Sequence, residues 1–401
     1  MPKKVVITGM GIISSIGNSV EENFTSLIQK KSGISVIENI ETAHKNAIKV
    51  GEIKLSNTQL AQKLHIDKDN ALSRTSLLGI WAIKEALNRA QIPENEISKL
   101  ALVSASSVGG MDMTERYFYQ YLTDENVRKY ITTHNIGEVT HQIADYFGLK
   151  SIVTSVSTAC SSSANALITA ANLIKTGRAD SVIAGGADAL SKFTINGFNT
   201  LMILSDTDCT PFDNNRKGLN LGEAGAYLIL ESEEIAHKNG RKILAELSGW
   251  GNANDAYHQT ASSENGEGAF LAMQKALKVA DLQPNNIDYI NAHGTATINN
   301  DLSESQAIIR IFGEENTPDF SSTKAYTGHT LAVASSVEAI FSILALQHDV
   351  IYPNLNYKTP MEEVKIRPQT EVKYKKINNV LSNSFGFGGN CSTLIFTKTK
   401  S

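Results

Sequence analysis

The sequence predicts an α/β fold made of two related halves. Short apolar runs alternate with longer helical patterns along the chain, as in sheets that are covered by helices. Two of the helical patterns are apolar almost all round, and each follows a chemically reactive side chain, Cys160 in the first and His329 in the second. This repetition predicts a duplication, with residues 1–240 as one half and residues 241–401 as the other. The charged stretch Glu231–Lys242 would connect them.

The predicted strands are the short apolar runs of the chain. In chain order they are Val5–Thr8, Leu100–Ser104, Ile152–Val156, Ser181–Ala184, Ala226–Glu231, Ile243–Gly249, Asp288–Asn291, Val380–Asn383 and Thr393–Thr397. The predicted helices are Ser73–Ala90, Ser161–Thr176, Gly268–Ala280, Asp301–Phe312 and the stretch that follows His329 and runs through Leu346. Because the second and the last of these are rich in small apolar residues on every side, we expect them at the centre of the protein.

Composition excludes several classes of protein. The 401 residues carry 37 basic and 41 acidic side chains, a net charge of −4, without a long Lys/Arg cluster, so we expect no nucleic-acid partner. The three cysteines, Cys160, Cys209 and Cys391, do not make a disulfide framework and suit a reducing cytoplasm. The first residues lack the pattern of a signal peptide, and no run approaches the roughly 18–20 apolar residues of a membrane span. We therefore expect neither.

Cys160 lies in the run Val-Ser-Thr-Ala-Cys-Ser-Ser-Ser-Ala, between a predicted strand and a predicted helix. A thiol at a helix N-terminus is close to the positive end of the helix dipole and to unpaired N–H groups, which stabilise the nucleophilic thiolate. A buried structural thiol is the ordinary alternative for a free cysteine. The tight turn and the two histidine segments described next favour the nucleophile, and with it covalent thioester chemistry.

Two histidines occupy Gly- and Thr-rich segments, His293 in Asn-Ala-His-Gly-Thr-Ala-Thr and His329 in Thr-Gly-His-Thr. If the halves are duplicated, His329 points into the same space as Cys160. Two neutral imidazoles that donate Nε2–H to a thioester carbonyl would form an oxyanion site for a developing enolate. The alternatives are a backbone-bonded loop histidine for His293 and a helix cap for His329. We expect no metal, because no His/Asp/Glu ligand spacing accompanies the pair.

Two glycine-rich runs are further candidates for a functional role. Residues 383–389, Asn-Ser-Phe-Gly-Phe-Gly-Gly, form either a sharp turn or a hinge that places Phe387 over a pocket and offers backbone N–H donors. The pair Gly9-Met-Gly11 after the first strand lacks the third glycine of a dinucleotide-binding loop, since Ser14 stands there. We therefore expect no nucleotide cofactor.

Together these segments closely resemble the elongating β-ketoacyl-acyl-carrier-protein synthases of the KAS II type, in the thiolase superfamily, over nearly the whole chain. The matching segments are Val-Val-Ile-Thr-Gly-Met-Gly near the N-terminus, Ser-Thr-Ala-Cys160-Ser-Ser, Ala-Gly-Gly-Ala-Asp188, Pro211-Phe-Asp-Asn-Asn-Arg216, Asn-Ala-His293-Gly-Thr-Ala-Thr, Ser-Thr-Lys324-Ala-Tyr-Thr-Gly-His329 and Asn383-Ser-Phe-Gly-Phe-Gly-Gly. The resemblance implies a thiolase-like five-layered αβαβα fold with two pseudo-duplicated halves. It also implies a cytoplasmic homodimer, or a heterodimer with a related subunit.

The resemblance implies a decarboxylative Claisen condensation. Cys160 would accept an acyl chain from the phosphopantetheine arm of an acyl carrier protein, while His293 and His329 would hold the thioester carbonyl of malonyl-acyl carrier protein as CO2 leaves. The product would be a 3-oxoacyl-acyl carrier protein, made without metal or organic cofactor. The other residues that it implies are Lys324 with Glu304 as its partner in the active-site network, the backbone N–H groups of Cys160 and Phe387 as oxyanion hole, Thr295, Thr297 and Thr260 as substrate contacts, Val108 in the acyl pocket and Phe387 as gate. The docking face for the carrier protein stays unassigned, with Arg74 as a candidate contact.

Some segments depart from the family pattern, among them Ala332-Val-Ala-Ser335 after the second histidine and Asn390-Cys391 after the glycine loop. These departures suit a specialised synthase, building aryl-polyene or polyketide-like chains, as well as fatty acid synthesis. A non-condensing partner of the chain-length-factor type is the alternative, and Cys160 argues against it because such partners typically lack the nucleophile. A thiolase-type acyl-CoA enzyme would need a second catalytic cysteine in the glycine loop, near which Cys391 lies.

Overall fold

The structure, a computed structural model, describes residues 3–67 and 69–399. Its strands are β1 Val5–Ser14, β2 Ile34–Val36, β3 Lys49–Gly51, β4 Ala101–Ala105, β5 Val153–Val156, β6 Ser181–Asp188, β7 Ala224–Ser232, β8 Ala245–Asn254, β9 Tyr289–Asn291, β10 Asp319–Ser321, β11 Val350–Ile351, β12 Lys373–Tyr374, β13 Asn379–Gly386 and β14 Asn390–Thr397. Its α-helices are α1 Val20–Ile28, α2 Asn57–Leu64, α3 Arg74–Arg89, α4 Glu94–Ile97, α5 Met111–Tyr117, α6 Ile136–Tyr146, α7 Ser162–Lys175, α8 Lys192–Thr200, α9 Glu233–Lys238, α10 Glu267–Ala280, α11 Ile298–Phe312, α12 Lys324–Thr327 and α13 Ala334–His348.

The large sheet is built twice with the same topology. Its first half has the order β1-β7-β6-β4-β5 and its second half the order β8-β14-β13-β9-β10. In both halves the first two pairings are antiparallel and the next two are parallel. The halves join where β1 pairs with β8 at Val6–Glu246 and Ile7–Ala245. The connection between them runs through α9.

Helices cover and separate the two half-sheets in five layers. One apolar cluster joins α7 and α13 to strands of both halves, so these two helices form the central layer. A second cluster packs α2, α3 and α6 on the outer face of the first half, and a third packs α10 and α11 on that of the second. Residues of β6 alternate accordingly, Val182 and Ala184 facing the central helices and Ile183 the outer ones. The predicted five-layered αβαβα fold with two related halves is confirmed.

Each predicted strand is present and most extend further than the apolar run indicated. The predicted helices are present too, although the last one starts with a 3-10 turn at Leu331–Val333. Short elements such as α8, whose nine residues Lys-Phe-Thr-Ile-Asn-Gly-Phe-Asn-Thr are mostly polar, were not predicted. Strand β10 was not predicted either, because it has only three residues and gains its place by pairing with β9.

One helical stretch in the described part of the chain is long and apolar enough to cross a membrane by length and composition alone. It is Leu331–His348, which contains α13, and 89% of it is buried inside the protein. The expectation that no stretch would reach this threshold was therefore wrong. The reason is that α13 lies in the central layer, where other elements of the protein surround it on every side. A helix in that position is apolar almost all round, as a membrane-spanning helix is.

Candidate active site

Cys160 lies in the turn between β5 and α7. Ala159 before it has a left-handed backbone, with φ at 53°, and α7 starts at Ser162, two residues after Cys160. The strand and the central helix thus hold the turn from both sides. The Cys160 side chain is 7% exposed and lines two cavities that meet at the sulfur.

His329 occupies the related position in the second half, between β10 and α13. Its backbone N–H donates to the Asn220 carbonyl at 2.7 Å, which fixes its place on the neighbouring segment. Its ring Nδ1 accepts the Leu331 backbone N–H at 3.0 Å. Because an accepting Nδ1 carries no proton, the neutral ring holds its proton on Nε2 and presents a donor to the cavity.

His293 follows β9 and is fixed through its backbone. Its N–H and that of Gly294 donate to the two oxygens of Glu304, at 2.9 and 2.8 Å. Gly294 has a positive φ of 37°, and a Cβ there would lie 2.5 Å from that of Ser322, so no larger residue fits this close approach. Glu304 reaches the loop from α11 and also accepts from the Asn383 side chain at 3.1 Å.

Lys324, the first residue of α12, holds the ring of His293. Its Nζ lies 3.2 Å from His293 Nδ1 and also contacts the His293 carbonyl. An ammonium has no lone pair, so Nδ1 accepts here and the ring proton of His293, like that of His329, sits on Nε2. Lys324 forms a buried ion pair with Glu338 of α13.

The expected pairing of Lys324 with Glu304 was wrong. Glu304 is buried, and its contacts are backbone N–H groups and an amide, whereas Glu338 approaches Lys324 from the central helix. The signal that could have identified Glu338 is that it is the acidic residue in α13, a helix otherwise made of apolar and uncharged polar residues up to His348. A charge in such a helix requires a partner.

The fold brings the three predicted side chains together. Ligand atoms of Cys160, His293 and His329 lie within 4.8 Å of one another, and all three residues are buried. The imidazoles meet edge to face, with ring centroids 5.5 Å apart and an interplanar angle of 89°. Residues separated by up to 169 positions in the sequence thus face one small volume.

Burial controls the ionisation of the thiol. It raises the pKa of Cys160 to about 11, and the positive charge of Lys324 and the backbone N–H groups of Phe387 and Cys160 oppose this only in part. The expectation of a thiolate stabilised at the helix N-terminus is therefore not met in the free protein. The cost of removing a thiolate from water exceeds the gain from the dipole and these donors.

Burial also keeps both imidazoles neutral. It lowers the pKa of His329 to about 3 and that of His293 well below its ordinary value, with the nearby Lys324 charge acting in the same direction. Burial has the opposite effect on the pKa of the two nearby carboxyl groups, since it raises that of both Glu304 and Glu338 to about 7. The site therefore holds uncharged rings at neutral pH.

The same three side chains have the spacing of a possible metal site. Whether they suit a metal depends on which ring nitrogens carry a lone pair. A metal would need a lone pair on the Nε2 atom of each ring that faces the cavity. The Leu331 N–H and the Lys324 ammonium occupy the Nδ1 lone pairs and leave the proton on Nε2. The ring orientation therefore favours hydrogen-bond donation over metal ligation.

A cavity of about 350 Å³ leads from the surface to the sulfur. Thr295 and Thr297 line it with hydroxyls 2.8 Å apart, and Thr260 lines it from an exposed loop. Phe387 follows β13 and lines the same cavity. The structure thus brings together all the residues expected on the entrance side.

A second cavity, of about 360 Å³, continues beyond the sulfur and is mostly apolar. Val108 lines it, as expected, together with Leu331 and residues of α8. Phe387 lies at the boundary and stacks on Phe198 of α8, with ring centroids 6.1 Å apart. Phe198, which was not predicted as a site residue, therefore lines both cavities together with Phe387.

Arg74 does not lie on a docking face. It is 7% exposed, and its guanidinium forms a buried, two-point ion pair with Glu223 and donates to the Ile53 carbonyl. The candidate contact with a carrier protein was therefore wrong. An arginine at a helix start gives no sign in the sequence that a distant carboxylate will bury it.

Asn390 is a further residue that the sequence analysis left without a role. Its Oδ1 accepts from Ser161 Oγ at 2.7 Å and from the side-chain amides of Asn165 and Asn252, each at 2.9 Å. It thereby ties the glycine loop of the second half to the N-terminus of α7, one residue from Cys160.

Known proteins are similar to this chain over nearly its whole length. The chain matches the family models for the N-terminal domain of beta-ketoacyl synthase over residues 2–236 and for its C-terminal domain over residues 244–358. The 3-oxoacyl-[acyl-carrier-protein] synthase 2 of Staphylococcus aureus is 36% identical over 413 aligned residues, covering 99% of this chain and 98% of that protein.

Two solved structures are similar throughout. The ishigamide ketosynthase/chain length factor has a TM-score of 0.93 at 28% identity, with all of both chains covered. A ketosynthase in complex with its type II polyketide acyl-carrier protein has a TM-score of 0.89 at 26% identity, again over all of both chains. With both domain models matched in order and a relative this similar from end to end, the chain belongs to the beta-ketoacyl synthase family and is an acyltransferase of the condensing type.

Proposed function

We propose that the protein condenses an acyl group held on Cys160 with the two-carbon unit of malonyl-acyl carrier protein, giving 3-oxoacyl-acyl carrier protein and CO2. The observation that carries this proposal is the approach of the Cys160 sulfur and one ring nitrogen of each of two imidazoles within 4.8 Å, beside two cavities that Cys160 lines. One reactant can be held on sulfur while the other is polarised by the imidazoles.

In the first step the Cys160 sulfur attacks the acyl thioester of the carrier protein. The bond between the acyl carbon and the pantetheine sulfur breaks, and the thiol proton ends on that departing sulfur. The backbone N–H groups of Cys160 and Phe387, which lie close to the sulfur, are placed to stabilise the oxyanion of this transfer. The acyl chain then extends into the apolar cavity lined by Val108.

In the second step malonyl-acyl carrier protein enters from the other cavity. Its carbonyl oxygen accepts from the Nε2–H groups of His293 and His329, the bond to the carboxylate breaks, and CO2 leaves with an enolate behind. The enolate carbon attacks the acyl-Cys160 carbonyl, a carbon–carbon bond forms, and the sulfur leaves and takes up one proton. No metal or organic cofactor enters these steps, because decarboxylation itself supplies the carbanion.

The remaining residues support these two steps. Lys324 orients His293 through Nδ1 and is itself held by Glu338. Thr295 and Thr297 line the entrance cavity and would contact the pantetheine arm, and Thr260, which lines the same cavity, would contact the malonyl side. These roles are the ones that the resemblance to the family implies, and the contacts of the four side chains are compatible with them.

The partners are an acyl carrier protein and a second subunit of the same fold. Phe193 and Leu201 of the acyl cavity wall are 60% and 43% exposed, so a neighbouring subunit could close the cavity. That subunit is a second copy or a related chain, since one similar structure is a ketosynthase/chain length factor. The setting is cytoplasmic, in fatty acid synthesis or in a related pathway to aryl polyenes or polyketide-like chains.

Intact-mass analysis of the purified protein tests the proposal. With acyl-acyl carrier proteins of several chain lengths and with aryl-acyl primers, we expect one acyl adduct on Cys160, followed by malonyl consumption and CO2 release. The preferred primer then identifies the pathway. An adduct on Cys209 or Cys391, or none with any primer, would contradict the proposal and favour the non-condensing partner role.

A further inference from the structure

Asp188, the last residue of β6, is a buried carboxylate that the reaction steps do not use. It is 0% exposed, and no ion pair involves it among residues 3–67 and 69–399. Burial raises its pKa, and hydrogen bonds from Ser106 and Ser107 act in the opposite direction. Burying a carboxyl group costs free energy, and here neither a cation nor contact with the reacting atoms accounts for its presence, so another role must do so.

Four donor groups of the loop after β4 bond to this carboxylate, and the Ser107 N–H reaches both of its oxygens. Ser106 Oγ donates at 2.6 Å, Ser107 donates from its N–H at 3.0 Å and from its Oγ at 2.7 Å, and the Val108 N–H donates at 3.3 Å. Ser107 and Val108 line the apolar cavity. One side of the carboxylate is therefore anchored to the wall of the acyl pocket.

The other side reaches the turn that follows His329. Asp188 Oδ2 accepts the Ala332 N–H at 2.9 Å. This N–H belongs to the peptide group between Leu331 and Ala332, and Leu331 has a left-handed φ of 57°, a conformation that a branched aliphatic residue rarely adopts. The Leu331 N–H, at the other end of the same residue, is the donor to His329 Nδ1.

We propose that Asp188 is a positioning residue for His329. By accepting the Ala332 N–H it holds Leu331 in its left-handed conformation, and this keeps the Leu331 N–H on Nδ1 and the proton of the ring on Nε2. Without that constraint the turn relaxes, Nδ1 loses its donor, and the ring can place its proton there. The cavity then faces an unprotonated Nε2, which cannot stabilise an enolate.

The proposal rests on the proposed condensation, because the value of an Nε2–H donor lies in holding the malonyl thioester. It predicts that an asparagine at position 188 does not hold the Leu331 turn, although its side chain has the same shape as that of aspartate. Both Asp188 oxygens accept N–H groups, Ser107 N–H on one side and Ala332 N–H on the other. In either orientation of an asparagine, its NH2 group would face one of these donors.

The test compares Asp188→Asn with the wild type in two measurements. In protein labelled with 15N-histidine, we expect the His329 signals, assigned with His329→Gln, to change from the Nε2–H form towards the Nδ1–H form. In parallel, malonyl decarboxylation should fall by about tenfold to a hundredfold, and acyl loading of Cys160 by less than about threefold.

Glu231→Gln is the matched control for lost stability. Glu231 is another buried carboxylate, and it accepts from Thr8 Oγ1 at 2.7 Å and pairs with Arg241 away from the cavities. We expect it to lower the melting temperature without changing the ratio of decarboxylation to loading. If Asp188→Asn does not fold, Ser107→Ala removes one hydrogen bond from the same carboxylate and should shift both measurements in the same direction by a smaller amount.

An unchanged His329 tautomer in a folded Asp188→Asn protein would overturn the proposal, as would an equal loss of loading and decarboxylation. A wild-type protein without any decarboxylation would instead reject the proposed function. The tautomer measurement needs no turnover and still decides the role of Asp188 in that case.

Discussion

At the scale of single residues, the proposed role of the two imidazoles as donors rests on burial, which keeps them uncharged, and on the hydrogen bonds at Nδ1, which fix their protons. Lys324 serves both effects, since its charge lowers the pKa of both rings and its ammonium occupies His293 Nδ1. A neutral Nε2–H donor suits an enolate because it needs no proton transfer, and removing one such donor typically costs about 10²–10³ in rate.

The lowered pKa of His329 has a consequence for stability. The unfolded chain protonates this residue below pH 6.5, whereas the folded protein does so only near pH 3, so stability is lost as the pH falls below 6.5. From pH 7.5 to 5.5 this residue should cost about 1.4 kcal/mol. Urea unfolding at both pH values should show a smaller loss for His329→Gln than for the wild type, by about that amount. Equal losses would mean that the folded ring titrates normally.

The buried pair of Lys324 and Glu338 separates stability from activity. Lys324→Met leaves Glu338 without its partner, and we expect unfolding free energy to fall by about 3–5 kcal/mol, with decarboxylation largely lost. Lys324→Met combined with Glu338→Leu removes both charges and should recover most of the stability. It should not recover decarboxylation, because His293 Nδ1 still lacks its donor. Recovery of both in the double variant would show that Lys324 has a structural role only.

At the scale of elements, the turn before α7 and the glycine loop after β13 depend on close contact. Gly386 has an ordinary backbone, with φ at −109°, but a Cβ there would lie 2.9 Å from the Thr158 carbonyl and 3.1 Å from the Cys160 nitrogen. The central helices are also linked, because Ser335 Oγ of α13 donates to the Cys160 carbonyl at 3.1 Å. The position of the sulfur is therefore set by three elements together.

Gly386→Ala tests this contact. The added methyl group should push the glycine loop, and with it the Phe387 N–H, away from the sulfur, and slow acyl loading by about tenfold to a hundredfold. Gly137→Ala on α6 is the control, since its Cβ would make an ordinary contact at 3.4 Å with the Asn135 side chain. Rates of loading measured by intact mass should differ between the two variants. Unaltered loading in Gly386→Ala would mean that the loop does not contribute to this step.

The elements and the convergent residues were predictable to different degrees. Strands such as β1 and β7 are long apolar runs, and their pattern alone identifies them. The partners of Lys324 and Arg74 were assigned wrongly, because an ion pair between distant residues depends on how helices pack and leaves no periodic signal. The prediction of a thiolate at Cys160 was wrong for a similar reason. The sequence indicates where the helix starts, but not how deeply the fold buries the thiol, and burial is what raises its pKa.

At the scale of the whole molecule, the duplicated topology explains why the site lies where it does. Cys160 precedes α7 and His329 precedes α13, and these helices are equivalent in the two halves. Packing them against each other in the central layer brings their N-terminal turns together. Cys160 lines both cavities, and in the proposed reaction each cavity takes one reactant.

The size of the apolar cavity predicts how chain length is controlled. Val108→Phe would fill part of the roughly 360 Å³ space beyond the sulfur. Each methylene group of the primer that no longer fits should cost about 1–3 kcal/mol, so long primers should load far more slowly and short ones nearly normally. Loading rates for a series of acyl-acyl carrier proteins measure this. An unchanged profile would place the acyl chain elsewhere.

The most direct measurement is the ratio of CO2 released to 3-oxoacyl product formed, for the wild type, Cys160→Ala and the double variant His293→Ala/His329→Ala. We expect one CO2 for each product molecule in the wild type. We expect CO2 without product for Cys160→Ala, and an acyl adduct on Cys160 without CO2 for the double histidine variant. Product from Cys160→Ala, or undiminished CO2 release without the two histidines, would contradict it.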